Sequence, residues 1–92
     1  MEYKDIGGKE VIGRQAHLIG KVYEIEVDPA NWKVTHIYVE VDKNIAEDLG
    51  VKKPRIGSAK ASIPTEMIDA ISDRVLLKNE SVDALKKVIK PI

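Results

Sequence analysis

The chain has 92 residues, with 15 Lys and Arg balancing 15 Asp and Glu and no cysteine. That length holds one small domain. Zero net charge removes any global attraction for nucleic acid or anionic membranes, and the lack of cysteine excludes a disulfide framework and a thiolate metal site.

No apolar run approaches the ~20 residues of a membrane-spanning helix, and no apolar signal segment follows Met1, so the expected location is the cytoplasm. A core this small is often completed by dimerisation, so a homodimer is expected. In chain order, residues 1–8 read as a loose start ending in a glycine pair, and 9–12 as a short strand closed by Gly13. The stretch LIGKVYEIEVD, 18–28, alternates: Tyr23, Ile25 and Val27 take one face and Glu24, Glu26 and Asp28 the other. Leu18, Ile19 and Val22 break that parity, which predicts a bulge or sharp bend near Gly20 to Val22.

Asp28 and Pro29 open a turn, and Asn31 is expected to take its left-handed position. The stretch KVTHIYVEVD, 33–42, returns with Ile37, Val39 and Val41 facing inward and Val34, His36 and Tyr38 outward, completing a long antiparallel hairpin. A two-turn helix follows, capped by Asp42 or Asn44 and closed by Gly50 at C′. Residues 51–60 form a basic loop. ASIPTEMI predicts a short strand stopped by Pro64 and one helical turn, DRVLLK a last strand, and 79–92 an amphipathic helix capped by Asn79, striped by Val82, Leu85 and Ile89, and ended by Pro91. Short strands, strong turns and one bent strand predict a mainly β chain: a small β-barrel over 9–78, carrying a short helix after the main hairpin and a C-terminal amphipathic helix.

The stretches LIGKVYEIEVDPANWKVTHIYVEV, 18–41, and ASIPTEMIDAISDRVLLK, 61–78, resemble the PRC-barrel family. That fold is shared by the cytoplasmic part of the photosynthetic reaction-centre H subunit, the C-terminal domain of the ribosome-maturation factor RimM, and stand-alone archaeal proteins. The resemblance implies a PRC-type barrel that recruits other proteins and self-associates. For free-standing archaeal members it implies an accessory of FtsZ-based cell division, associated with a SepF-type membrane anchor and recruited through it to the division site. An RNA- or ribosome-associated module similar to RimM is the alternative. The family usually has Gly where this chain has Trp32.

The residues offer little chemistry. HExxH, GxGxxG, P-loop and GxSxG patterns are absent, and His17 and His36 lie in different elements without further nameable ligands. No catalytic, cofactor-binding or metal residue is assigned, and no enzyme is expected. Glu24, Glu26 and Glu40 can gather on one sheet face, which a solvated strand explains as well as paired carboxylates do. Lys52, Lys53, Arg55 and Lys60 form the one basic run, which could touch RNA phosphates or an acidic partner. It is short and has no interleaved aromatic, so a solvated loop is favoured and nucleic-acid binding is not expected.

The candidate protein-interaction residues are Trp32, Val34, His36 and Tyr38. The face of Val34, His36 and Tyr38 is either a partner or dimer surface, or is covered by the C-terminal helix. Trp32 either folds back over its hairpin or contacts another chain. A hairpin tip has little core beneath it, which favours the contact.

Overall fold

The computed structural model describes residues 6–52, 54–55, 57–78 and 82–92, the side chains of 14, 82 and 83 excepted. Among them seven strands form one curled sheet, a half-barrel: β1 (Glu10–Ile12), β2 (Leu18–Asp28), β3 (Lys33–Val41), β4 (Lys60–Pro64), β5 (Ile68–Ile71), β6 (Val75–Leu77) and β7 (Lys90–Pro91). Their order is β5-β6-β1-β2-β3-β4-β7. All pairs are antiparallel except β1 with β6, which run parallel with Val11 opposite Val75. The expected mainly β barrel architecture is what the chain adopts.

The β2–β3 hairpin is the centre of the sheet. On β3, Ile37, Val39 and Val41 are buried as their alternation predicts, against Val22 of β2 and Ile63 and Ala61 of β4. Gly20 sits where β2 comes closest to β3: a methyl group there would overlap the Glu40 carbonyl and lie 2.7 Å from a Val39 methyl. Only a residue without Cβ permits that approach.

Two bulges divide the hairpin. On β2 the register passes from Val22 opposite Val39 to Glu24 opposite Tyr38, so Tyr23 is the extra residue. The irregularity expected near Gly20 to Val22 therefore falls one residue later, and Tyr23 leaves the row of Ile25. On β3 the register passes from His36 opposite Glu26 to Val34 opposite Val27, so Thr35 is extra. That bulge moves Val34 onto the row of Val27 and splits the expected group of Val34, His36 and Tyr38.

Helix α1 (Lys43–Ala46) is one turn long rather than the two expected, but it begins as predicted, with the Asp42 carboxylate accepting from the Asn44 amide at 3.2 Å. Beyond it, the Gly50 amide donates to Glu47 O and the Val51 amide to Ala46 O, with Gly50 at φ 72°. This is the paired closure of a Schellman motif, with glycine at C′ as expected. Helix α2 (Val82–Val88) buries Leu85, and Ile89 just beyond it, in the same core as Ile45 and Leu49. The Asn79 cap lies outside the described residues.

Two expectations at the ends of the chain are corrected. Residues 6–8 are docked rather than loose: Ile6 is fully buried and the Gly8 amide donates to Val22 O at 2.8 Å. A single apolar residue before two glycines has no period to announce it. The C-terminal helix does not run to Pro91, because Lys90 and Pro91 form β7 against Ser62 and Ala61 of β4. Pro91 fits there because an edge strand tolerates a missing N–H.

Candidate protein-interaction surface

The tip of the hairpin is a four-residue loop, 29–32. The Asp28 carboxylate accepts from the Ala30 amide at 2.9 Å, and the Trp32 amide donates to Asp28 O at 2.7 Å. The Asn31 side-chain oxygen accepts from the Lys33 amide at 3.0 Å. The left-handed residue is Trp32 itself, at φ 59°, not Asn31. The reason lies in the loop's closure: with the bond made from the fourth loop residue, that residue carries the reversal, while Asn31 is used as a side-chain acceptor. A side chain in that region is disfavoured by roughly 1–2 kcal/mol relative to glycine.

Trp32 is 80 % exposed, the highest value among the exposed large apolar side chains of the described residues. It does not fold back over its hairpin. Val27, opposite Val34, is also exposed near the tip. A strained, solvent-facing indole contributes nothing visible to the barrel's own stability.

Outward from the middle of the hairpin lies a polar cluster. The rings of Tyr23 and Tyr38 are 6.1 Å apart, and the Tyr38 hydroxyl donates to Glu26 Oε2 at 2.5 Å. His36 Nδ1 lies 3.8 Å from the same carboxylate oxygen and 3.0 Å from Thr35 Oγ1. The Tyr38 phenol is held above its ordinary range, first by its hydrogen bond to Glu26. The Tyr23 phenol is raised by burial and by the charges of Glu40 and Glu24. Helix α2 directs Leu85 into the core, so the amphipathic stripe expected to cover this face serves the interior instead. Glu24, Glu26 and Glu40 do share this face, but cross-strand neighbours separate them: Glu40 lies between Lys21 and Lys60.

The basic run is dispersed. Lys52 and Arg55 are exposed on the loop, whereas Lys60 belongs to β4 with its ammonium 5.1 Å from the centre of the Tyr23 ring. Lys53 lies outside the described residues. At the root of the hairpin the α1 segment and residues 50–52 and 57–59 frame an open groove of about 890 Å³. Nothing in the sequence periodicity signals it, since its lining comes from four separate segments. Among the described residues no group of three or more His, Asp or Glu is placed to hold a metal, and no helix is long and apolar enough to cross a membrane.

The curled seven-stranded sheet defines a small-barrel module. The chain belongs to the PRC-barrel domain family, whose model matches residues 1–83. This is a family of small barrels and general protein-interaction modules, typically without catalysis. No curated protein matches the chain.

Proposed function

We propose that this PRC-barrel is a non-enzymatic adaptor that self-associates and docks on another protein through the tip of its central hairpin. The observation that carries this reading is Trp32, 80 % exposed and left-handed at a position where glycine would be unstrained. Large aromatic side chains concentrate binding energy at interfaces, and a buried interface Trp contributes roughly 2 kcal/mol or more.

His36 and Tyr38 extend the surface along the hairpin, and Val34 joins Val27 at the tip. The specific form of the proposal, taken from the resemblance to stand-alone archaeal members, is an accessory of FtsZ-based division bound to a SepF-type anchor. Such a protein works in the cytoplasm and reaches the division site through its partner.

The test is to replace Trp32 with Gly and measure self-association and binding to purified SepF-type protein. A monomer–dimer equilibrium at micromolar concentration, weakened by at least tenfold in Trp32→Gly with the fold intact, supports the reading. A variant that loses thermal stability yet associates normally overturns it. A tight, sequence-selective RNA complex at physiological salt would instead promote the ribosome-associated alternative, which the exposed Lys52 and Arg55 would serve.

A further inference from the structure

The hairpin that exposes Trp32 at one end frames a groove at the other. Leu18, Val41, Ala46 and Val51 give that groove an apolar lining, and Lys21 and Lys43 stand among the charged residues around it. A volume of about 890 Å³ lies within the range of small-ligand pockets, ample for an indole. Val41, Ala46 and Val51 belong to the core, so the groove reaches down to the barrel's interior packing.

We infer that Trp32 of one copy seats in the root groove of a second copy, and reciprocally, in a two-fold dimer. This inference rests on the reading of Trp32 as a contact residue and names where it goes. Three observations support it.

The first is length. Strand β3 spans nine residues, about 30 Å at the usual rise, and the longest dimension of the molecule is 34 Å. Tip and root are therefore at opposite ends, and two antiparallel copies bring each tip to the other's root. The two-fold axis then passes near the middle of β3, where His36 and Tyr38 face outward. Closed two-fold pairing is the commonest symmetry of soluble oligomers.

The second is orientation. Lys21 and Glu40, both groove residues, lie opposite each other on β2 and β3, on the same outward row as Tyr38 and Glu24 once the Tyr23 bulge is counted. The groove therefore borders the face that the two-fold arrangement would pack.

The third is charge. The tip carries Asp28 and Lys33, the groove carries Lys21 and Lys43 with Asp42 and Glu47, and the chain as a whole is neutral. Two copies approach without net repulsion, and each end offers both signs to the other.

The absence of cysteine makes a clean test. Lys33→Cys, beside an intact Trp32 at the tip, and Lys43→Cys chains, both altered at exposed positions, are prepared separately, mixed, and treated with a short bis-maleimide. The expected product is a cross-link between the two variants, with little cross-linking in Lys33→Cys alone. In parallel, sedimentation velocity compares the native chain, Trp32→Gly, the groove-filling Glu47→Trp, and an equimolar mixture of these two variants.

Each variant alone should associate at least tenfold more weakly than the native chain. The mixture should recover a heterodimer, because an intact tip then meets an intact groove. If Glu47→Trp fails to fold, the cysteine pair decides alone. Association that depends on Trp32 but cross-links tip to tip, or a mixture with no recovery, overturns the tip-to-root contact and leaves the adaptor reading standing. A native chain that stays monomeric, unchanged by Trp32→Gly and inert towards a SepF-type partner, overturns both.

Discussion

The two ends of the β2–β3 hairpin obey different rules. At the root, Gly20 lies so close to Val39 and the Glu40 carbonyl that a single methyl group has no room. At the tip, the largest side chain in the protein stands almost free in a backbone conformation that suits it poorly. Gly20 is fixed by the fold, because any added side chain meets the Glu40 backbone and Val39. The tip residue is fixed by nothing the barrel itself requires. An unfavourable choice at an unconstrained position is where function is to be sought, since proteins keep such strain chiefly at working sites.

The sharpest way to break this contrast is to add one methyl at the root. Gly20→Ala is expected to destabilise the fold by about 3 kcal/mol or more, because the Glu40 backbone cannot yield without opening the hairpin. Chemical denaturation measures this, and a loss below about 1 kcal/mol would show that the root adapts.

Gly50 should be less demanding. It too is left-handed, but an added Cβ would press only on the flexible Lys86 side chain, at 3.1 Å. Gly50→Ala is expected to cost about 1 kcal/mol, read as a lower thermal midpoint with an unchanged far-ultraviolet spectrum.

At the tip the sign reverses. Trp32→Gly relieves the left-handed strain and gives back flexibility in the unfolded chain, so stability should stay within about 1 kcal/mol of native, on the stabilised side if relief dominates. A clear loss of stability would place the indole in the barrel's own packing and remove the contrast.

The smallest effect concerns the outward face. The Tyr38 phenol is raised through Glu26, so the folded protein holds that proton more tightly than the unfolded chain. The associated stability is fully present below the unfolded value, 10.0, and is lost as pH rises through the folded value. Glu26→Gln should move the Tyr38 titration back towards 10.0 in a residue-resolved NMR experiment. An unmoved titration would show that the hydrogen bond to Glu26 does not govern it.

Much of this fold was legible because hydrophobic alternation and turn chemistry agree. Ile37, Val39 and Val41 announce the inner face, Asp42 and Gly50 bracket the first helix, and Pro64 stops β4. The bulges were harder to see. An extra residue at Thr35 leaves the alternation of letters intact while it changes which side chains meet, so the letters alone group Val34 with His36 and Tyr38. Strands β5 and β7 are not legible in the sequence for another reason. A strand of four residues, or of two with a proline, carries too little pattern and is held by its neighbours. The exposure of Trp32 could be argued from its place at a tip. Its left-handed backbone could not, because Asn31 is the better candidate by propensity and only the loop's bonding reverses the choice.

The two-residue strand β7 also bears on colloidal behaviour. A curled sheet that does not close leaves rows of unpaired amides and carbonyls, which invite strand-by-strand growth into aggregates. On the β4 side, Lys90 and Pro91 cover the row beside Ser62 and Ala61, and the Ile92 amide donates to Lys60 O. Proline then presents no N–H to an incoming strand. This short segment acts as a guard rail: it terminates the sheet with a residue that cannot propagate it, so the faces and the tip remain available for contacts that are specific rather than fibrillar.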